Sequence, residues 1–163
     1  MIAKNLLLCS LLLVLCSLPA FSQTAEEMET LLSQETVSAA TAARFVLASV
    51  GSAASVGSAG LLPPGASGPA AEKAAYDLAL SKGWIKAGSS DAISLQDTAF
   101  LIMKAFDLKG GIMYSLFSNP RYAYREMIYM KLIHGRSDQS MKLTGRKLLQ
   151  IIDSTLRQTG GEI

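Results

Sequence analysis

The sequence contains almost no cysteine. Cys9 and Cys16 are its only two, and both lie within the first 22 of its 163 residues. We predict that this leading segment is removed, so the mature chain should hold no cysteine at all. That excludes a disulfide framework, a thiol nucleophile and a cysteine-ligated metal. Export without disulfides fits a bacterial periplasm or cell surface better than a disulfide-dense eukaryotic secreted protein.

Removal is predicted because residues 1–22 have the pattern of a secretory signal peptide. Lys4 supplies the positive start, and an apolar run extends from Leu6 to Leu18. Ala20-Phe21-Ser22 then places small residues at the two positions that a signal peptidase recognises, so we expect cleavage after Ser22. The mature protein should therefore be secreted across the inner membrane into the periplasm or cell envelope.

Two alternatives to a cleaved signal remain open. One is a membrane anchor, but a spanning helix needs about 20 apolar residues and this run is shorter. The other is a lipoprotein with the lipid on Cys16, where the preceding Leu15 is bulky although a small residue is usual. The length of the run favours cleavage, after which the protein should not be an integral membrane protein.

The sequence also lacks an excess of charge of either sign. Its formal net charge is +2, which becomes +1 when Lys4 leaves with the signal. A nearly neutral chain gives no reason to expect nucleic acid or an anionic membrane as a partner. We therefore predict that it binds no nucleic acid.

Groups that carry out chemistry are scarce as well. His134 is the sole histidine and has no neighbouring carboxylate motif, so it is a poor candidate for a metal ligand or a catalytic base. No serine–histidine–aspartate set, paired-carboxylate pattern or metal cluster stands out. We therefore expect no cofactor, no bound metal and no enzymatic activity.

The 141 residues that follow the signal are enough for one domain. Hydrophobic periodicity divides them into an all-α domain over 37–157 behind a flexible acidic lead over 23–36, which ends in a short helix around Met28 to Leu32. The successive parts of the domain are a helical unit at 37–50, a Gly/Ala/Ser/Pro-rich loop at 51–69, one repeat at 70–106 and a second repeat at 119–157.

The two repeats are predicted from a shift of 48 positions, which aligns them without a gap. Each copy has the pattern of a helix, a tight polar loop and a second helix, and fixed-period similarity of this kind indicates units that pack on each other. The unit at 37–50 resembles the second helix of each copy and indicates a degenerate third copy whose first helix is lost or shortened. The expected core anchors are Trp84, Phe100, Leu101, Leu132, Leu148 and Leu149.

Local signals support these boundaries. Gly83 is placed to end the first helix of copy one, and Ser94 to Asp97 has the pattern of a capping box that starts the second. Asn119-Pro120 has the pattern of a helix start. The helix from Thr98 to Phe106 is apolar on more than one face, which predicts a central position.

Two stretches carry a family resemblance. Ala79-Leu80-Ser81-Lys82-Gly83-Trp84-Ile85, followed by a polar loop and Ile93-Ser94-Leu95-Gln96-Asp97, resembles an S-layer homology (SLH) module, and Leu143-Thr144-Gly145-Arg146-Lys147 resembles the start of that module's second helix. The likeness extends from Ala71 to Ser154, and faintly to 37–50. It implies an all-α bundle, modules that come in threes, and binding to cell-wall polymers.

The sequence departs from the family pattern at the ligand site. The arginine that contacts the wall polymer in the family falls at Asp97 in copy one and at Gly145 in copy two, and Arg146 is displaced by one residue. The cations nearest the implied ligand positions are Lys86, Arg136 and Arg146. Acidic side chains flank the same predicted grooves: Asp91, Asp97 and Asp138.

Three classes of function follow. The first is an envelope-anchoring or binding module with peptidoglycan or an attached wall polymer as ligand. The second is a structural or protein-interaction subunit of the periplasm, with another envelope protein as partner, that keeps the scaffold without binding glycan. The third is an enzyme, for which no residue pattern argues. The SLH resemblance favours the first class.

Overall fold

The computed structural model describes residues 20–53, 68–135 and 138–160. Within these ranges the protein is all-α, as predicted, and its extended backbone is limited to isolated bridges. The helices are α1 (Ala20–Ser33), α2 (Ala39–Ala53), α3 (Gly68–Ser81), α4 (Leu95–Ala105), α5 (Ile112–Leu116), α6 (Pro120–Tyr129) and α7 (Gly145–Gly160).

Along the chain, six of these helices form three consecutive helix–loop–helix units, which we call hairpin 1 (α1 and α2), hairpin 2 (α3 and α4) and hairpin 3 (α6 and α7). The short helix predicted around Met28 to Leu32 is part of α1, but α1 is longer than expected and occupies most of the predicted flexible lead. The first hairpin therefore has a full first helix. Leu31 anchors α1 to the core with 1% of its surface exposed, and Glu27 forms an ion pair with Arg44 of α2.

The second helix of each hairpin begins with the same hydroxyl cap. The side-chain oxygens of Ser38, Ser94 and Thr144 accept hydrogen bonds from the backbone amides three residues later, at 3.1–3.2 Å. Each bond satisfies a backbone donor that the first turn of a helix leaves unpaired. The cap predicted at Ser94 is confirmed, although the carboxylate of Asp97 accepts from the serine hydroxyl, at 2.5 Å, in addition.

Immediately before each cap, the three hairpins exchange backbone hydrogen bonds in a ring. The amide of Val37 donates to the carbonyl of Leu143, and the amide of Leu143 donates to the carbonyl of Ile93. The amide of Ile93 donates to the carbonyl of Val37, and all three distances are 2.9–3.0 Å. All three side chains are fully buried, with 0% exposed. The ring thus joins the hairpins around one approximate three-fold axis at the centre of the domain.

The ring corrects the predicted alignment of hairpins 2 and 3. Trp84 and Leu132 both donate to the carbonyl five residues earlier at the end of a first helix, and they lie 48 positions apart. Ile93 and Leu143 occupy equivalent places in the ring but lie 50 positions apart. The gapless shift was therefore wrong beyond the loop. Hairpin 3 has two more residues there, which a periodicity of apolar residues alone does not locate.

The helices pack in the same cyclic order. Helix α2 packs on α3, α4 on α6, and α7 on α1, so the second helix of each hairpin contacts the first helix of the next. Helix α4 is buried on more than one face, as its composition predicted, and eight of its eleven residues are buried. This order closes the bundle and leaves clefts where neighbouring hairpins meet.

Most predicted core anchors are buried, with relative exposures of 0–8%: Phe100, Leu101, Leu132 and Leu148. Trp84 and Leu149 are only partly buried and pack against the edge of the core. Trp84 lies under the Lys82 ammonium, 5.5 Å from the ring centroid.

The connections also differ in part from the predicted boundaries. Helix α2 continues to Ala53 and α3 starts at Gly68, so only the ends of the predicted 51–69 loop are described, and they are helical. The connection between hairpins 2 and 3 contains the short apolar helix α5. The predicted signal peptide lies outside the described residues except for Ala20 to Ser22, which form the first turn of α1.

Candidate functional site

The cations predicted as ligands do not form one site. Lys86 is exposed in the loop of hairpin 2, whose backbone at Ser89 and Asp91 accepts hydrogen bonds from the start of α2. Arg146 is exposed in the first turn of α7, directly after Gly145, whose amide donates to the loop of hairpin 1. The two side chains thus belong to different hairpin interfaces. The third predicted cation, Arg136, lies outside the described residues.

The acidic side chains beside these positions serve their own loops. The carboxylate of Asp91 accepts from the amide of Gly88 at 2.9 Å. That of Asp138 accepts from the amide and the hydroxyl of Ser140 at 2.8 and 2.7 Å, and these bonds lower the pKa of Asp138. The two carboxylates therefore stabilise their own loops, and a ligand would have to compete with these hydrogen bonds. His134 is exposed, and its carbonyl accepts from the Lys147 ammonium at 2.6 Å.

The ring also corrects the position assigned to the family arginine. Ala39, Leu95 and Gly145 are equivalent, because each follows its ring residue by two and donates its amide to the neighbouring hairpin. Asp97 is therefore not the counterpart of Gly145, contrary to the alignment made from the sequence. All three equivalent positions are buried, so a ligand in a groove cannot reach a side chain there.

A different cation, Arg44 on α2, occupies the cleft between hairpins 1 and 2. Only 7% of its surface is exposed. Its Nη1 donates to Oε2 of Glu27 at 2.8 Å, and its guanidinium carbon lies 4.4 Å from the centroid of the Phe45 ring. Its Nε is buried with no hydrogen-bond partner, 3.9 Å from Oε1 of Glu72. The guanidinium thus keeps an unused donor beside the cleft.

Two glutamates hold the arginine in place and connect three helices. The second oxygen of Glu27, on α1, accepts from the amide of Gly68 at the start of α3, at 3.1 Å. Glu72, on α3, accepts from the Thr41 hydroxyl at 3.1 Å, and Thr41 is hydrogen-bonded to the capping Ser38. Because each glutamate is fixed by a second partner, Arg44 is oriented in advance of any ligand.

The cleft around this network has a volume of about 580 Å³. That size lies within the range typical of small-molecule sites. Its lining combines charged, amide, hydroxyl and aromatic groups: Glu26, Glu27, Thr30, Gln34, Thr41, Arg44, Phe45 and Glu72, with Leu31, Gly68 and Pro69. Three carboxylates against one guanidinium make the cleft acidic. It can exchange hydrogen bonds with hydroxyl and amide groups, and it does not suit a polyanion.

The sequence interpretation missed this network. It placed Glu26 and Glu27 in a flexible lead and gave Arg44, in the helical unit at 37–50, no role. One signal was available: Arg44 is the only charged residue between Val37 and Val50. A single charge inside an apolar amphipathic helix needs a partner when the helix is buried.

Comparison with family models, curated proteins and solved structures found no match to this chain. Among the residues that the structure describes, no three histidine, cysteine or acidic side chains are grouped as a metal site would require. Over the same part of the chain, no helix has both the length and the apolar character needed to cross a membrane.

Proposed function

We propose that this protein is an exported module of the bacterial cell envelope that binds the glycan of peptidoglycan or an associated wall polymer, without catalysis. The observation that carries the proposal is the cleft at Arg44. It is a concave site of suitable size in which a fixed cation, carboxylates, an amide and an aromatic ring converge. Such a set suits a sugar, which presents many hydroxyl and amide groups and an apolar ring face.

The finer architecture belongs to the same proposal. We infer that the three hairpins are divergent copies of one SLH-like module. The cyclic backbone bonds and the shared hydroxyl caps support this, because Val37-Ser38, Ile93-Ser94 and Leu143-Thr144 occupy equivalent places. The last two pairs belong to the stretches that carry the SLH resemblance.

The charge of the cleft narrows the ligand class. Three glutamates around one arginine repel phosphate-rich or carboxylate-rich polymers. A neutral glycan, or one that carries amino groups, meets no such repulsion. We therefore infer that the peptidoglycan glycan is the ligand and that a strongly anionic wall polymer is not.

The test is co-sedimentation of the protein with purified sacculi. A cleft variant, Gln34→Ala combined with Glu26→Gln, should leave the Arg44–Glu27 pair intact, because both side chains line the cleft and neither belongs to the ion pairs of Arg44. We expect this variant to bind about tenfold more weakly, as loss of one or two ligand hydrogen bonds predicts.

A matched variant, Lys86→Ala combined with Arg146→Ala, tests the cations predicted from the sequence. It should bind like the wild type, because neither side chain lines the cleft. Binding that depends on Lys86 and Arg146 instead would move the site to the loops. A wild-type protein that stays in the supernatant would refute glycan binding, and thermal unfolding of each variant would show that all are folded.

A further inference from the structure

The five-residue helix α5 exposes apolar side chains to solvent. Ile112 is 79% exposed, Met113 59% and Leu116 68%. Tyr114 is the one buried side chain of the helix, at 7%, and it fixes α5 to the domain. The large apolar side chains other than Tyr114 therefore project from the fold, and the rest of the described residues leaves them largely uncovered.

The exposed surface continues beyond the helix. Phe117 is 56% exposed, and its ring lies 5.9 Å from that of Tyr122 at the start of α6. Tyr129, at the end of α6, is 83% exposed and lines the same groove as Ile112 and Met113. We call this surface the α5 patch and define it by its members: Ile112, Met113, Leu116, Phe117, Tyr122 and Tyr129. Large contiguous apolar patches are uncommon on soluble monomers and mark interaction sites.

Positive charge is concentrated in the same segment. Residues 104–131 contain five basic and two acidic side chains, a net charge of +3, whereas the whole chain carries +2. The basic members are Lys104, Lys109, Arg121, Arg125 and Lys131, and the acidic members are Asp107 and Glu126. The rest of the chain is therefore slightly acidic, and the basic excess lies in the segment that contains the α5 patch.

We propose that the α5 patch docks the protein on the surface of an anionic lipid membrane. The aliphatic and aromatic side chains of α5 would enter the boundary between headgroups and acyl chains, while Arg121, Arg125 and Lys109 pair with lipid phosphates. Apolar burial combined with attraction to anionic headgroups is the general mode of interfacial binding. This proposal does not depend on the glycan cleft, which lies between α1, α2 and α3.

The shape and charge of the patch favour a lipid surface over a protein partner. Ile112 and Tyr129 project almost fully into solvent, and such side chains insert readily into a fluid interface. The anchors of protein–protein interfaces instead fill well-packed pockets on the partner. The net positive charge complements a surface of one sign, which an anionic bilayer presents over any area.

The test measures sedimentation of the exported protein with vesicles of phosphatidylcholine alone or mixed with phosphatidylglycerol. We expect binding to the mixed vesicles, weaker binding to the neutral ones, and a decrease as salt is raised. Ile112→Ser combined with Leu116→Ser should reduce binding at least about tenfold, because it removes two inserted side chains. Arg121→Gln combined with Arg125→Gln should remove the preference for anionic vesicles.

The matched control is Leu80→Ser, which replaces an apolar side chain of α3 that is 45% exposed and lies outside the patch. It should bind vesicles like the wild type. Equal binding by the Ile112/Leu116 variant and the wild type would overturn the proposal. So would the absence of vesicle binding together with self-association that the same variant abolishes in sedimentation velocity, since the patch would then join two copies of the chain.

Discussion

The backbone of Gly145 lies directly against the carbonyl group of Leu31. A Cβ at position 145 would overlap the carbonyl oxygen and would lie 2.6 Å from the carbonyl carbon. The amide of Gly145 also donates to the backbone carbonyl of Gln34 at 3.1 Å, so the contact and the hydrogen bond together attach hairpin 3 to hairpin 1. Only glycine permits this close approach.

Gly145→Ala should therefore destabilise the domain. The backbones of α1 and α7 would have to separate, and overpacking of this kind costs about 1–3 kcal/mol. Gly160→Ala on the same helix is the matched control, because a Cβ there meets nothing within 4 Å. It should be neutral or slightly stabilising. Urea denaturation of the two variants checks the prediction, and equal midpoints would contradict the described contact.

Adjacent leucines on α7 should differ in their contribution to stability. Leu148 is 0% exposed, whereas Leu149 is only partly buried at the edge of the core. Leu148→Ala should lower the free energy of unfolding by about 2–5 kcal/mol, as expected for a fully buried leucine. Leu149→Ala should cost clearly less. If chemical denaturation gave the larger loss for Leu149, α7 would have to be rotated about its axis.

Alkaline pH should loosen α5 through Tyr114. Burial raises the pKa of Tyr114, the charge of Asp107 acts in the same direction, and the nearby Ser118 acts in the opposite one. A folded-state pKa above the unfolded value of about 10 means that the folded state holds the phenol proton more tightly. The resulting contribution to the free energy of unfolding is fully present below the unfolded pKa and is lost as the pH rises through the folded pKa.

Absorbance titration of tyrosine checks this effect. Tyr114→Phe should remove one late-titrating tyrosine and reduce the loss of stability at alkaline pH. Burial and the charge of Asp138 also raise the pKa of Tyr124. Tyr124 should therefore still titrate late in that variant. If the Tyr114→Phe protein instead lost amplitude among the tyrosines that titrate near the ordinary pKa of about 10, this phenol would not be buried.

Processing of the N-terminus is a separate prediction. The basic residue, apolar run and Ala20-Phe21-Ser22 predict that the exported protein begins at Gln23. Cleavage there would leave Glu27 and Leu31, which carry the α1 contacts, in the mature chain. Mass spectrometry of the protein from envelope fractions measures the N-terminus directly. A mature protein that retained residues 1–22 would contradict the prediction.

The sequence predicted where the helices begin better than it predicted the alignment of the repeats. Asn119-Pro120 starts α6 as expected, with the Asn119 side chain accepting from the amide of Tyr122 at 3.1 Å. These signals are local, so they can be recognised along the chain. The two extra residues lie in the loop of hairpin 3, so the spacing of apolar residues within each helix is unchanged. An alignment based on that spacing therefore did not detect them.

The candidate site could not be assembled from the sequence for a related reason. Glu27, Arg44 and Glu72 are far apart along the chain, and none belongs to a recognised motif. They meet because α3 packs on α2 and the loop of hairpin 1 brings Glu27 of α1 within hydrogen-bond distance of Arg44. The sequence interpretation instead selected exposed cations at the family's expected positions, and the two that are described lie at separate interfaces.

The ring of Val37, Ile93 and Leu143 limits the number of hairpins that the bundle can contain. Each of these residues donates to one neighbour and accepts from the other, so the ring has no free end to which another hairpin could be added. An open solenoid tolerates gain or loss of a unit because each unit contacts only its neighbours. Here, deletion of any hairpin would leave two buried backbone groups without partners, and a fourth would require the ring to break. The bundle should therefore fold as a single cooperative unit, and its rate should be limited by the distant pairing of its first and last hairpins.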